Sequence, residues 1–232
     1  MMPFHLPHQD QRLLDCGYRK AKDLIAYTVD KASYHAVGST RMLDKAMADG
    51  RIRLRPLDMK NYKRDLAKLL EVFNDAWSEN WEMVPFSQNE IEMAAKSMKP
   101  LIDPDLVVIA EVDGEIAGML VCLPNLLEAI RDLDGHLLPF GWAKLLWRLK
   151  RKTLKTARVP LMGIRRKHHG TLLGAVLLPL MFNHLKGPFF ARGLEQVELS
   201  WILEDNLPMR RVIEGVGGKA YKTYRIYEKA LA

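Results

Sequence analysis

Cysteine is nearly absent from this chain, which holds only Cys16 and Cys122 among its 232 residues. The two lie far apart, and neither stands in a Cys-x-x-Cys motif or at a Cys/His spacing typical of zinc sites. A disulfide framework and a structural zinc module are therefore not indicated. We expect a reducing, cytoplasmic location and no bound metal.

Long apolar runs are also missing. The first residues lack a basic start followed by an apolar stretch, and the longest apolar segment, Thr171 to Phe182, is shorter than the ~20 residues that span a bilayer. We therefore predict neither a signal peptide nor a membrane span. The content of 48% hydrophobic and 27% charged residues is that of a globular domain.

Acidic residues are absent between Asp134 and Glu195, although Lys and Arg recur throughout that segment and the net charge of the chain is +7. Such a segment could bind a phosphate-bearing ligand, nucleic acid or an anionic membrane, or it could be a solvated basic face. Nucleic acid is disfavoured, because the sequence has no recognisable reading helix and no strands studded with aromatic residues.

Residues 51–232 alternate between strand and helix patterns. A strand begins at Ile52, and a helix over Tyr62–Trp77 has apolar residues at spacings of three and four. A second helix begins after a capping box of Ser87 and Glu90, and a hairpin follows with Asp113-Gly114 as its turn. The remaining predicted elements are a helical insert (125–153), a strand (157–164), an apolar helix (171 to about 186) kinked at Pro179, a strand (196–203), a helix (206 to about 216) and a strand (221–228).

The first 50 residues repeat part of this pattern. Leu13–Tyr27 is typical of a helix end, a stop at Gly17 and a short strand, and the same order recurs around Gly217. Thr28–Gly50 reads as a polar, weakly helical linker. We predict that residues 1–50 are the remnant of an upstream domain copy plus a linker, and that residues 51–232 form the main domain.

Two local motifs sharpen the interpretation. The strand 157–164 is followed by His169-Gly170-Thr171-Leu172-Leu173-Gly174, and strand 196–203 leads into a helix that starts at Asn206. Together with the element order, these motifs resemble the GNAT superfamily of N-acetyltransferases, whose loop of the form Arg/Gln-x-x-Gly-x-Gly/Ala cradles the coenzyme A pyrophosphate at a helix N-terminus. His169 and Leu172 depart from that pattern, and a tight turn at Gly170 is an equal alternative.

The resemblance is closest to a bacterial subgroup of GNAT-like proteins of unknown substrate, through segments such as NDAWSENW, DPDLVVIAEVDG and ELSWILEDN. It implies a mixed α/β (α+β) sheet with the GNAT acyl-CoA N-acyltransferase fold. It also implies acetyl-CoA or another acyl-CoA as cosubstrate and a small-molecule or peptide amine as acceptor, and it is compatible with a homodimer. The residues placed at the coenzyme by this resemblance are Met162 and Ile164 through their main chains, and Arg165, Arg166, His169, Gly170, Thr171, Gly174 and Asn206.

Acid–base chemistry is less clearly marked. The tyrosine that usually protonates the departing thiolate in this superfamily is replaced by Ile213. Candidate bases are Glu198 and Glu204, candidate acids are Tyr221 and Tyr224, and Trp81 and Phe86 are candidates for an apolar wall of the acceptor site. Each of these also fits an ordinary surface or core role. The sequence predicts an acyl-CoA-dependent N-acyltransferase, with a degenerate, non-catalytic binding module as the alternative.

Overall fold

The computed structural model describes residues 5–34 and 40–231. The helices are α1 (His8–Asp15), α2 (Thr40–Ala48), α3 (Tyr62–Ala76), α4 (Gln88–Met98), α5 (Leu126–Ile130), α6 (Gly141–Arg151), α7 (Leu172–Ala191) and α8 (Leu207–Gly215). The strands are β1 (Arg19–Asp30), β2 (Ile52–Arg55), β3 (Val107–Val112), β4 (Glu115–Pro124), β5 (Thr156–Ile164), β6 (Gln196–Leu203) and β7 (Lys219–Glu228). The result is the mixed α/β architecture that the sequence predicts.

All strands belong to one seven-stranded sheet in the order β2-β3-β4-β5-β6-β1-β7. Neighbouring strands are antiparallel except β5 and β6, which are parallel. A parallel pair needs a long crossover, and here α7 supplies it. The parallel pair is therefore the boundary between two antiparallel halves of the sheet.

The N-terminal strand is an integral part of the sheet. β1 lies between β6 and β7 and hydrogen-bonds to both along most of its length. Its central residue Tyr27 is fully buried, and the Tyr27 hydroxyl donates to Glu214 and accepts from Arg210 on α8. Descent of residues 1–50 from an upstream copy stays a prediction, but in this molecule strand β1 is needed to join β7 to the rest of the sheet.

The segment interpreted as a linker is more ordered than expected. β1 continues to Asp30, and α2 buries Leu43 in the core beneath α7. Part of the linker, residues 35–39, lies outside the described part of the chain. A helix with one apolar face becomes stable when tertiary packing covers that face, which a weak local pattern cannot indicate.

Two hydrophobic layers cover the sheet. On one face α3 and α4 pack against β3, β4 and β5, with Leu69, Val72 and Met119 among the buried residues. On the other face α7, with α2 and α8, covers the centre of the sheet. Glu198, Ser200 and Arg158 lie on β5 and β6, outside the hydrophobic layer that α3 and α4 form on the sheet.

Several local expectations are confirmed. The β3–β4 turn has positive φ at both Asp113 and Gly114, as the Asp-Gly signal predicts. The capping box is formed, with the Ser87 N–H donating to the Glu90 carboxylate at 2.8 Å. Helix α7 runs further than expected, to Ala191, and it continues through Pro179 and Pro188 because the surrounding core holds it in place.

By length and composition alone, α7 could cross a membrane, and within residues 5–34 and 40–231 it is the one helix that could. Half of it is buried in the fold, where Leu177, Met181 and Phe182 pack against the sheet. A core helix passes the same test, and we interpret α7 as a core helix.

Candidate active site at the divergence of β5 and β6

The parallel strands pair only over their first halves. Hydrogen-bonded register runs from Thr156 with Gln196 to Val159 with Leu199, and beyond this point the strands part. The next residue of β5 is Pro160, which has no N–H to donate to a ladder. The same stretch contains a register irregularity against β4. Proline and the bulge thus end the parallel pairing and open a divergence in the middle of the sheet.

The edge of β5 beyond the divergence faces away from β4. The carbonyl of Met162 accepts from the Trp77 indole at 3.3 Å, and the carbonyl of Ile164 lies 3.0 Å from His169 Nε2. Because main-chain groups of alternate strand residues point to opposite sides, the N–H groups of Met162 and Ile164 also point toward the divergence. The main chains of Met162 and Ile164 therefore face the divergence, and their contact with a thioester stays a prediction.

The loop after β5 forms a tight entry into α7. The Thr171 hydroxyl accepts from the Gly174 N–H at 3.0 Å and caps the helix. A Cβ on Gly174 would lie 2.0 Å from the His168 carbonyl oxygen, so only glycine fits there. Gly170 has a φ of +69°, a conformation that favours glycine, and nothing lies near its missing side chain.

The first turn of α7 leaves main-chain donors free. Within the described residues, the N–H groups of Leu172 and Leu173 have no hydrogen-bond partner. Free donors at a helix N-terminus, together with the helix dipole, favour an anion. The Leu172 side chain is 86% exposed beside these donors, so it narrows access without contributing to the core.

The basic residues ahead of this loop are already paired. Arg166 forms a close ion pair with Glu79, and its N–H donates to Asp75 at 2.8 Å. Arg165 donates to the Ile116 carbonyl at 2.8 Å, and Lys167 pairs with Glu115. These contacts fasten the loop to α3 and β4, so part of the positive charge expected at the site is neutralised by the protein itself.

A polar cluster occupies the start of the divergence. The Ser200 hydroxyl donates to Glu198 at 2.7 Å, and Arg158 donates from Nε to the same hydroxyl at 3.1 Å. The Tyr221 hydroxyl donates to the other Glu198 oxygen in a short contact. Arg158 and Glu198 are partners in the parallel register, so the cluster is built where the two strands are still joined.

The protonation states of this cluster follow from its contacts. Burial opposes ionisation of Glu198, but the hydrogen bonds from Ser200 and Tyr221 act together with positive charge, including that of Arg158, and lower the pKa of Glu198. Burial and the Glu198 carboxylate raise the pKa of Tyr221. Burial lowers the pKa of Arg158, which stays cationic because guanidinium pKa values are very high. At neutral pH the cluster is a carboxylate with a protonated tyrosine and a guanidinium.

Irregularities in the strand pairing set the directions of these side chains. β6 has one extra residue opposite β1 within the stretch Ser200–Trp201, and β7 has one extra residue at Tyr221. An extra residue redirects the side chains around it and is common beside functional sites. Here the irregularities bring Tyr221 to Glu198, although β1 lies between their strands.

Tyr224 has an unused hydroxyl. Among the described residues its buried oxygen has no hydrogen-bond partner, and its ring packs edge-on against Trp201 with centroids 6.0 Å apart. The guanidinium carbon of Arg158 in turn lies 5.7 Å from the centroid of the Trp201 ring. A buried polar atom without a partner is uncommon in folded proteins, so the Tyr224 hydroxyl is the group of this cluster whose hydrogen-bonding capacity is unused.

Other expected site residues lie in structural contacts. Glu204 accepts from Lys20 at 2.6 Å and from the Asp23 N–H at 3.1 Å, which ties β1 to the end of β6. Asn206 caps α8 by accepting from the Met209 N–H at 3.2 Å. Ile213 is fully buried in the core.

An aromatic row leads from the surface to β5. Phe86 packs on Phe73 with centroids 5.3 Å apart, and Phe73 packs on Trp77 at 4.5 Å. Trp77 reaches the Met162 carbonyl, whereas Trp81 is partly exposed on the connecting loop. Phe86 thus belongs to a wall that ends at the divergence, and within the described residues Trp81 forms no aromatic pair.

Sequence reasoning missed Arg158, Ser200, Trp201 and Trp77 as site residues. A signal was available for Ser200, because it alternates with the candidate base Glu198 on one strand and therefore shares its face. Arg158 could be assigned only once the parallel register was known. Within the described residues, no group of three or more His, Cys, Asp and Glu side chains could hold a metal ion.

Comparison with known proteins finds relatives by sequence and, separately, solved structures with a similar fold. No family model matches the chain. A protein named bacterial ceramide synthase from Caulobacter vibrioides is 46% identical over 220 residues, covering 95% of this chain and 57% of that protein. Protein YghO from Escherichia coli is 37% identical over 232 residues, covering 100% of this chain and 59% of that protein. The chain thus spans less than two thirds of the length of these relatives.

Solved structures are similar in fold at low sequence identity. A GCN5-related N-acetyltransferase from Sphaerobacter thermophilus matches with a TM-score of 0.58 at 15% identity, covering 94% of this chain and 55% of that one. A tandem GNAT protein from the clavulanic acid biosynthesis pathway matches with a TM-score of 0.53 at 14% identity, covering 97% and 59%. The chain therefore has the fold of the GNAT superfamily of N-acetyltransferases.

Proposed function

We propose that this chain is an acyl-CoA-dependent N-acyltransferase domain, which transfers an acyl group to a primary amine. The observation that carries the proposal is the divergence of β5 and β6, which joins a main-chain edge of β5 that β6 leaves unpaired, a glycine-containing helix entry and the Glu198 cluster. The general acyltransferase assignment follows from the fold, whereas the residue roles below are our proposal.

The helix entry fits a diphosphate. The free N–H groups of Leu172 and Leu173 point out of the α7 N-terminus, and Gly170 leaves open space beside them. Phosphate oxygens accept hydrogen bonds from such donors and are favoured by the helix dipole. Coenzyme A supplies the acyl group as a thioester, and the main-chain N–H of Met162 or Ile164 would polarise its carbonyl.

Glu198 would bind the acceptor amine and accept its proton. Its carboxylate is ionised at neutral pH, so it attracts and orients a protonated amine, which must lose one proton to water before its nitrogen can attack the thioester carbonyl. A lowered pKa makes Glu198 a weak base toward the free amine. The amine nitrogen becomes far more acidic as the new C–N bond forms, however, and the carboxylate can then accept its proton. Arg158 and Ser200 hold Glu198 in position.

Tyr224 is the better of the two candidate acids. The Tyr221 proton is already donated to Glu198, whereas the Tyr224 hydroxyl has no partner. Burial also raises the pKa of Tyr224, so its hydroxyl keeps its proton at neutral pH. Tyr224 would donate that proton to the departing sulfur, in place of the tyrosine that Ile213 replaces.

The names of the relatives suggest the acceptor class. A ceramide is an amide between a fatty acid and a long-chain amino alcohol, and the relative at 46% identity is named as a ceramide synthase. Another relative, 26% identical over 168 residues, is named mycothiol acetyltransferase and comes from Stackebrandtia nassauensis. We propose a long-chain amino alcohol as the first acceptor to test, and the cytoplasm as the compartment.

A non-catalytic ligand-binding module is the second candidate. The exposed Leu172 beside the helix entry and the buried Ile213 at the usual position of the acid favour it. Both candidates bind coenzyme A, and only the enzyme consumes its thioester.

The test measures binding and turnover together. We expect coenzyme A to release heat on titration into the protein, and free thiol to appear from long-chain acyl-CoA only when sphinganine is added. Glucosamine is the control amine without an alkyl chain. Binding without thiol release would contradict the enzyme and support the non-catalytic module. Absence of heat at millimolar coenzyme A would contradict both candidates.

A further inference from the structure

The helical insert between β4 and β5 exposes large apolar side chains. Leu138, Phe140 and Trp147 are 79%, 77% and 54% exposed, and Trp142 is 51% exposed. With Leu137 and Leu146 these residues form a surface that we name the insert patch. Exposed apolar side chains grouped in this way mark an interaction site more often than isolated ones do.

The insert patch is held in a fixed shape. The Trp142 N–H donates to the Leu137 carbonyl, and its indole N–H donates to the Pro139 carbonyl, both at 2.9 Å. A Cβ on Gly141 would lie 2.5 Å from the His136 carbonyl oxygen, so the loop packs closely on the first turn of α6. These contacts therefore hold the loop and the first turn of α6 together, and the aromatic side chains of the insert patch face outward.

Cations surround these apolar side chains. Lys144 and Arg148 share the carboxylate of Asp132. In the described part of the chain Lys150 and Arg151 have no carboxylate partner, and the Arg151 guanidinium lies 5.7 Å from the Trp147 ring centroid. The sequence contains no acidic residue from 135 to 194. The insert patch is thus both apolar and electropositive.

We propose that the insert patch binds the surface of an anionic lipid bilayer, with α6 lying parallel to the membrane. Trp and Phe side chains partition into the interface between headgroups and acyl chains, while Lys and Arg attract anionic headgroups. A second copy of the chain would bring an equal positive charge against the patch, which disfavours self-association through this surface. This inference does not depend on the proposed enzymatic activity.

The test is co-sedimentation of the full chain with vesicles. We expect binding to vesicles of phosphatidylglycerol and phosphatidylcholine at low salt, weaker binding at high salt, and little binding to phosphatidylcholine alone. The variant Lys150→Gln/Arg151→Gln should lower the partition coefficient by about fivefold for each charge removed. The variant Phe140→Ser/Trp147→Ser should lower it about tenfold or more.

Matched controls lie on another face. Met93→Ser removes an apolar side chain on α4 that is 71% exposed, and Lys63→Gln/Lys96→Gln removes two exposed charges from α3 and α4. Both controls should bind vesicles like the unsubstituted chain. All variants change exposed side chains, so their thermal unfolding should match that of the unsubstituted chain, which separates lost binding from lost folding.

Three results would overturn the proposal. They are absence of sedimentation with anionic vesicles at low salt, equal binding to neutral vesicles, and equal losses in the insert and control variants. Light scattering provides a further check without lipid, because a dimer that the Phe140→Ser/Trp147→Ser substitutions dissociate would assign the patch to a second copy of the chain.

Discussion

Tyr221 donates a hydrogen bond to Glu198 although β1 separates their strands in the sheet. The contact spans the position that the N-terminal strand fills, since β1 pairs with β6 on one side and with β7 on the other. The N-terminal segment therefore has a part in the candidate site, because it sets the distance between the carboxylate and the tyrosine.

Glu198→Gln should lower amine-dependent thiol release by about 100-fold or more, because the amide neither attracts an ammonium group nor accepts its proton. Coenzyme A binding measured by calorimetry should be unchanged. The lowered pKa of Glu198 keeps it ionised through the neutral range, so this group should produce no loss of activity until the pH falls below the ordinary pKa of a glutamate.

Glu204→Gln is the control for that substitution. Glu204 accepts hydrogen bonds from Lys20 and the Asp23 main chain, so the change should lower the unfolding temperature and leave the turnover number of the folded protein intact. Equal activity losses in the two variants would contradict the assignment of Glu198.

Gly174→Ala should destabilise the entry to α7. The new Cβ would meet the His168 carbonyl oxygen at 2.0 Å, and relief requires a shift of the loop main chain. We expect a cost of about 1 to 3 kcal/mol in denaturant unfolding together with weaker coenzyme A binding. Gly187→Ala in the same helix has open space around its Cβ and should be neutral or slightly stabilising.

Leu172→Ala should strengthen coenzyme A binding several-fold. The Leu172 side chain is 86% exposed beside the free donors of α7, so truncation opens the helix entry without a loss of core packing. Calorimetric titration of the variant against the unsubstituted chain measures the change. An unchanged dissociation constant would indicate that a diphosphate binds elsewhere.

Asp65→Asn should destabilise the fold by about 2 to 4 kcal/mol, because it removes a buried carboxylate that pairs with Arg55 and leaves that guanidinium with Glu111 alone. Arg55 donates to the Asp65 carboxylate at 2.6 Å, and that side chain is 1% exposed. Asp113→Asn is the matched control: it removes a carboxylate from the exposed ion pair with Arg51 and should leave the unfolding midpoint unchanged within error.

The Asp65 carboxylate also predicts that the folded protein loses stability at acid pH. Burial opposes ionisation of Asp65, but the hydrogen bonds from Arg55 and from the Asp58 main chain lower its pKa in the folded state. The stabilisation is complete above the unfolded-state pKa of about 4 and is lost as the pH falls through the folded-state value. Unfolding midpoints measured from pH 6 to pH 2 should fall less steeply for Asp65→Asn.

The sequence by itself determined the local elements. Asp113-Gly114 forms its turn, Ser87 and Glu90 form their capping box, and the apolar spacing of Tyr62–Ala76 forms α3. Each depends on residues a few positions apart, whose geometry is the same in any fold. The order of these elements, together with the motifs at His169–Gly174 and Asn206, indicated the GNAT fold and the loop before α7.

Tertiary structure alone decided which distant residues meet. It inserted β1 between β6 and β7, paired Arg166 with Glu79, and brought Tyr221 to Glu198 while directing Glu204 to Lys20. These outcomes depend on strand order, register and bulges, which are fixed by burial of the whole sheet between its helical layers. No local pattern in the chain encodes them, and so the two candidate glutamates could be separated only in the folded molecule.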